Sequence, residues 1–242
     1  MLDSKTAIVT GGTSGIGRAI AEKYLDWGAN VVIAGRREDV GQETATDLGC
    51  TFFQCDVANY EQVDDLVEST VDNYGSLDVI VNNAGIGQAA PLGEMSVDDW
   101  QQVLQVNLDG VMYGSKAALP HLVESDGSIV NVASIFGLVG GPGAPAYSAA
   151  KGGVVNLTRT IAIDYASDGV RANVICPGFV ETAMVEEYLG QEQFYDFVRG
   201  ETPIGRVAQP DEIGGIAAFL ASDEASYITG AAIPVDGGWT AH

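Results

Sequence analysis

KTAIVTGGTSGIG, residues 5–17, reads as a short apolar strand that runs through a glycine turn into a helix. Residues 5–10 are the strand. Glycines follow at 11, 15 and 17, and Ile16, Ile20, Tyr24 and Trp27 then recur at helical spacing. A strand, a glycine turn and a helix start make a phosphate cradle. Glycines let the backbone approach a pyrophosphate closely, and the first turn of the helix offers N–H groups with no partner within the helix. Gly11, Thr13, Ser14, Gly15, Ile16 and Gly17 are therefore candidate cofactor contacts. A tight turn alone would also call for glycine; the place between a first strand and a first helix is what favours the phosphate reading.

Outward from this unit, strand and helix patterns alternate to the end of the chain, as in a doubly wound α/β fold. Strand NVVIAGRR (30–37) is followed by a helix near 38–48, strand TFFQCD (51–56), a helix over 60–74 and strand LDVIVN, which enters NNAG at 82–85. A long helix is predicted over about 97–119, with Asn107 near its middle. Strand GSIVNVAS ends at Ser134, a helix runs from about Pro145 to Ala166, and VRANVICPG forms the next strand. A helix over 210–222 and the strand AAIPVDGG finish the chain. The expected architecture is a single Rossmann domain over residues 1–242, with a seven-stranded parallel sheet. In such sheets ligands bind at the carboxyl ends of the strands, where Gly11, Arg36, Asp56, Asn83, Ser134 and Pro177 would line one edge. Residues 180–208 show few strand signals and read as a mobile flap over a pocket.

The end of the second strand bears on the cofactor. An Asp or Glu there would bind the 2′-hydroxyl of an adenosine ribose; this chain has Gly35, Arg36 and Arg37 instead. An arginine fork suits a 2′-phosphate, so NADP(H) is favoured, with NAD(H) as the alternative. Two arginines after a strand can also be plain loop residues, but the chain has only seven arginines. Asp56 and Val57 end the third strand, where an adenine would lie.

In NVASIFGLVGGPGAPAYSAAK (131–151), Tyr147 and Lys151 are four residues apart and share a helix face. A cation about 4 Å from a phenolate is worth about 4 kcal/mol at an effective dielectric near 20, enough to lower a tyrosine by up to about three pH units. Such a tyrosine would suit acid–base catalysis near neutrality. By itself a Tyr-x-x-x-Lys pair is commonplace on helices.

Composition narrows the partners. Asp and Glu total 33 against 11 Lys and Arg, a formal charge of −22. With four lysines and no basic patch, nucleic acid and anionic membranes are disfavoured. The acidity, spread along helices, reads as adaptation to high salt, which screens self-repulsion; ordinary solubility is the plainer reading. The start MLDSKTAIVT lacks the regions of a signal peptide, no apolar run nears 18 residues, and the expectation is a cytoplasmic protein. Cys50, Cys55 and Cys176 lack metal-type spacing with His121 or His242, so reduced thiols and no metal site are expected.

Taken together, TGxxxGxG (10–17), NNAG (82–85), Asn107, Ser134, YxxxK (147–151) and PGxxxT (177–182) resemble the short-chain dehydrogenase/reductase family, in its order and over nearly the whole chain. Within it, GRREDVG, FFQCD, NLDGV and VDGGWTAH are similar to stretches of the NADP-dependent (R)-specific secondary alcohol dehydrogenases. The resemblance implies a homotetramer that moves hydride between a nicotinamide cofactor and a small ketone or secondary alcohol. It implies catalytic roles for Asn107, Ser134, Tyr147 and Lys151. Tyr147 would exchange the proton, Ser134 would bond the substrate oxygen, Lys151 would bind the ribose and tune the tyrosine, and Asn107 would hold a relay water. It also assigns cofactor contacts to Asn83, Ala84, Gly85, Pro177, Gly178, Val180 and Thr182, besides Tyr147 and Lys151. Some relatives hold Mg²⁺ near a terminal carboxylate; this chain ends in His242, which leaves little for a hard cation. Ser14 stands where many NADP-using relatives carry a basic residue, so only Arg36 and Arg37 support a 2′-phosphate. Three alternatives stay open. They are a 3-oxoacyl-thioester reductase acting on carrier-protein or coenzyme A substrates, a sugar or polyol dehydrogenase such as an aldose 1-dehydrogenase, and a cofactor sensor without catalysis.

Overall fold

A computed structural model describes residues 1–185 and 191–241. Among them are the strands β1 (Thr6–Thr10), β2 (Asn30–Gly35), β3 (Thr51–Gln54), β4 (Val79–Asn82), β5 (Ser128–Val132), β6 (Arg171–Pro177) and β7 (Ala232–Val235). All pair in parallel, in the order β3-β2-β1-β4-β5-β6-β7. The order reverses between β1 and β4, which opens a crevice at their carboxyl ends. The helices are α1 (Gly15–Asp26), α2 (Glu38–Leu48), α3 (Tyr60–Tyr74), α4 (Val97–Leu104), α5 (Gly110–Glu124), α6 (Pro145–Tyr165), α7 (Glu192–Glu201) and α8 (Asp211–Ala221). No described helix is long and apolar enough to cross a membrane.

Side chains of a strand alternate between faces, and both faces of this sheet are covered. On β1, Ala7 and Val9 pack with Ile20 and Tyr24 of α1 and Ile213 and Leu220 of α8. Ile8 between them packs on the other side, with Val63 and Leu66 of α3 and Leu122 of α5. This explains the unbroken apolar runs of the central strands. Tyr24 is fully buried, and its hydroxyl donates to the Ala217 carbonyl at 3.1 Å, tying α1 to α8.

Two expectations are corrected. The single helix predicted over 97–119 is α4 and α5 joined by a π-helical turn at Gln105–Asp109, and it continues to Glu124. The Asn107 amide donates to the Val103 carbonyl at 3.0 Å, taking an acceptor from the helical ladder. The described residues of the stretch read as a flap, 180–185 and 191–208, are more regular than their sequence promised. Phe194, Phe197 and Val198 lie at i, i+3 and i+4 on α7, and Val198 is fully buried. Ten residues among polar neighbours gave too short a window for that period to stand out. The part of the flap at 186–190 lies outside the described residues.

Candidate active site

The turn between β1 and α1 is shaped by close approaches. Gly11 and Gly15 have φ of +65° and +51°, left-handed backbone that suits glycine. A Cβ on Gly17 would overlap the Gly11 carbonyl and the Asn83 amide. Asn83 braces the turn from across the crevice: its Nδ2 donates to Thr10 O at 2.9 Å and Gly11 O at 3.3 Å. Thr10 Oγ1 in turn accepts the backbone N–H groups of Asn83 and Ala84. Ser14 precedes α1 without capping it, and the first turn carries no acidic side chain; α3 and α4, by contrast, are capped by Asn59 and Ser96. The uncapped N–H groups of α1 and the glycine cradle fit a pyrophosphate.

At the end of β2, Gly35 faces Thr13 so closely that a Cβ would stand 3.0 Å from its Cγ2. Arg36 and Arg37 are exposed. Among the described residues neither forms an ion pair, whereas Arg18, Arg199 and Arg206 all do. In a chain of charge −22, two adjacent uncompensated guanidiniums stand out. Asp56 accepts the Ala58 N–H at 3.1 Å, and its own N–H donates to Gln62, which fixes the loop after β3. Val57 is buried against Gly110.

The candidate catalytic residues sit further along the same edge. Ser134 lies two residues past β5, and its Oγ accepts the Phe136 N–H at 3.2 Å. The turn it starts is drawn onto α6 at Gly137, where a Cβ would stand 2.7 Å from the Lys151 carbonyl. Pro145 opens α6 at a position where its missing N–H costs nothing. Lys151 is only 3% exposed; its Nζ donates to Val132 O at 2.8 Å and lies 5.6 Å from the Tyr147 ring centroid. The buried Asn107 is gripped by Ile86, whose carbonyl accepts its Nδ2 at 2.9 Å and whose N–H donates to its Oδ1 at 3.2 Å. Gly85 is where Asn107 and Lys151 converge, since a Cβ there would be 2.7 Å from Asn107 Oδ1 and 3.6 Å from Lys151 Nζ.

The electrostatics correct one expectation. Burial pushes the Tyr147 phenol up, and a hydrogen bond with Ser134 offsets part of that. The net direction is upward, because the loss of water around the phenol outweighs that bond, and Lys151 Nζ is turned to the Val132 carbonyl. Burial also brings the Lys151 ammonium down to about 8.

Past β6, Gly178 backs onto Asp236. Val180 bridges to Ala208, and the Glu181 N–H donates to Ala208 O at 2.9 Å, so the two ends of the 180–208 stretch are joined. Thr182 reaches Gly15, with its Cγ2 3.0 Å from a would-be Cβ, and Met184 reaches Gly87. Pro177, Gly178, Val180 and Thr182 thus stand along the crevice opposite the glycine turn.

Sequence reasoning missed a buried relay beneath the site. Asn82 Nδ2 donates to Asn131 Oδ1 at 2.9 Å and to Ser115 Oγ at 3.1 Å, and Asn131 Nδ2 donates to Thr158 Oγ1 at 2.8 Å. It locks β4 and β5 to α5 and α6. An asparagine at the same register of two adjacent apolar strands was the available signal.

A family model of the short-chain dehydrogenase/reductase type, described as enoyl-(acyl carrier protein) reductase, matches residues 11–240. The chain is 42% identical to the meso-2,3-butanediol dehydrogenase of Serratia marcescens, covering 99% of this chain and 96% of that protein. It is 40% identical to the NADP-dependent (R)-specific alcohol dehydrogenase of Lentilactobacillus kefiri, covering 99% and 98%. The crystal structure of gox2181 superimposes with a TM-score of 0.97 at 34% identity, over 100% of this chain and 97% of that one. The chain belongs to the short-chain dehydrogenase/reductase family. It is a nicotinamide-dependent oxidoreductase acting on CH–OH groups.

Proposed function

We propose that the protein interconverts ketones and secondary alcohols with NADP(H), using Ser134, Tyr147, Lys151 and Asn107. The convergence of these four side chains on the edge that also carries the glycine turn supports the reading most directly. The glycine turn and the start of α1 would hold the phosphates of a nicotinamide cofactor, Pro177, Gly178, Val180 and Thr182 would line its other side, and when bound it would supply or take the hydride. Ser134 donates a hydrogen bond to the substrate oxygen, which stabilises the charge that develops there. Tyr147 donates its proton to that oxygen in reduction and takes it back in oxidation. Lys151, with an ammonium brought down to about 8, restores the proton near neutral pH. Asn107 holds the proton path open beside Gly85.

NADP(H) preference rests on the unpaired Arg36 and Arg37 and on Gly35, which leaves room and adds no negative charge. A ketone is favoured over an acyl thioester because both arginines near the flap are engaged. Arg206 forms a two-pronged pair with Glu212 at 2.6 and 2.7 Å, and Arg199 lies 3.8 Å from Asp196. A phosphopantetheine phosphate would have to compete with Glu212 for Arg206. A carrier-protein-bound substrate, which the description of the matched family model names, is the second reading.

Three further parts belong to the proposal. The flap acts as the lid of the crevice, and α5 and α6 assemble a homotetramer through exposed apolar residues such as Met112 and Ile163, the latter 79% exposed. The protein works in a salt-rich cytoplasm. A spectrophotometric screen tests the function: NADPH and NADH at high salt against ketones, acetoacetyl thioesters and aldoses. Ketone reduction with at least a tenfold preference for NADPH is expected. Turnover of thioesters or aldoses alone, or an equal preference for NADH, contradicts the reading.

A further inference from the structure

We propose that Gln54, at the end of β3, is a positioning residue for the 2′-phosphate of NADP(H), acting through the backbone of Arg36. The inference rests on the NADP(H) reading above and deepens it. Arg36 and Arg37 lie on an exposed stretch between β2 and α2, yet their main chain is tied down carbonyl by carbonyl. The Ala34 carbonyl accepts the Gly11 and Gly12 N–H groups of the glycine turn, at 2.8 and 3.3 Å. The Gly35 carbonyl accepts the Cys55 N–H at 3.0 Å, and the Arg37 carbonyl accepts the Gly41 N–H at 3.0 Å as α2 begins. The Arg36 carbonyl is taken by a side chain instead: Gln54 Nε2 donates to it at 3.0 Å. Gln54 is in place to do so because it pairs with Gly35 in the parallel register of β2 and β3.

A bond to that carbonyl fixes the peptide plane between Arg36 and Arg37, and with it ψ of the first and φ of the second. The directions in which both side chains leave the main chain follow from those angles. Both guanidiniums are exposed and, among the described residues, neither forms an ion pair. The backbone is ordered while the charged ends stay free, which keeps the ordering cost of taking up an anion low. A purely structural role explains Gln54 poorly. Its side chain is exposed, a hydrogen bond in water adds little to stability, and the neighbouring carbonyls already join the strand end to the glycine turn, β3 and α2. The 2′-hydroxyl of NAD(H) carries no charge for a guanidinium fork to grip, so the effect of Gln54 is confined to the phosphorylated cofactor.

The test is calorimetric and needs no turnover. Adenosine 2′,5′-bisphosphate, 5′-AMP and NADPH are titrated into the wild type, Gln54→Met, Arg36→Ala and the double variant, at one fixed KCl concentration because salt screens such contacts. The wild type is expected to bind the bisphosphate about tenfold or more tightly than 5′-AMP, the scale of a charge-assisted hydrogen bond. Gln54→Met keeps the length of the side chain and loses the donor, and its exposed position leaves the core untouched. It should weaken the bisphosphate and NADPH by about three- to tenfold, the scale of one hydrogen bond, and leave 5′-AMP within about twofold. In the Arg36→Ala background the same change should have no further effect, because Gln54 acts through that residue. Unaltered bisphosphate affinity in Gln54→Met overturns the inference, as does an equal loss for 5′-AMP, which marks a general disturbance of the loop. A loss that persists in the Arg36→Ala background also overturns it, since Gln54 would then touch the ligand itself. A wild type that binds the two nucleotides equally would instead strike the NADP(H) reading, and this inference with it.

Discussion

Lys151 is buried, its Nζ donates to the Val132 carbonyl, and the fold bears the cost of its charge. Its ammonium falls from about 10.5 in an unfolded chain to about 8 in the fold, which disfavours the folded state by about 3 kcal/mol where both states are protonated. Because the folded value is the lower one, the unfolded chain binds more protons between about pH 8 and 10.5. The penalty is therefore full below pH 8 and disappears as pH rises through that window. Lys151→Met should remove this dependence. Its melting temperature relative to wild type is expected to be highest near pH 7 and to decline by several degrees toward pH 10. A constant offset between the two proteins over that range would show that the buried charge is absent. Tyr147 gives a matching kinetic signature. With the phenol pushed up, the proton donor is in place at neutral pH, so ketone reduction should be flat there. Alcohol oxidation, which needs the phenolate, should climb with pH. A shared optimum near pH 7 in both directions contradicts this.

At the scale of elements, most of the site was legible because backbone demands choose residue types. The glycine turn, NNAG and the strand ends could be read since few residues fit left-handed backbone or such close approaches. The limits of α2 and α3 coincide with those read from the sequence. The π-helical turn at Asn107 was not legible, because it depends on a side chain competing with its own helix. Nor was the meeting of the Phe136, Phe179, Phe197 and Trp239 rings, which are far apart in sequence and come together only through the topology. Gly17→Ala should abolish cofactor binding or folding, as its Cβ overlaps the Gly11 carbonyl; calorimetry with NADPH checks it, and unaltered affinity would refute the cradle. Arg36→Ala should weaken NADPH by about ten- to a hundredfold, the range of a charge-assisted hydrogen bond, and leave NADH nearly unchanged. Equal losses for both cofactors would remove the 2′-phosphate argument.

For the whole molecule, the sheet order brings the carboxyl ends of β1, β2, β4, β5 and β6, and so the candidate residues that follow them, to one edge. The acidic surface is a property of the entire chain, and its consequence is a response to salt. At 1 M the Debye length is about 3 Å, so self-repulsion is largely screened. The melting temperature should rise between 0.1 and 2 M KCl, and a fall would contradict adaptation to salt. The distance between Tyr147 and Lys151 could not be read from sequence, since helix spacing fixes a shared face but not which carbonyl captures the ammonium. That is why the expected lowering of the tyrosine was reversed. Tyr147→Phe removes one oxygen and keeps the ring, so it tests the proton transfer with little else disturbed. Steady-state ketone reduction and NADPH binding, measured together on this variant, should show turnover lost and cofactor affinity within about twofold of wild type. Retention of more than a tenth of the activity would contradict the account.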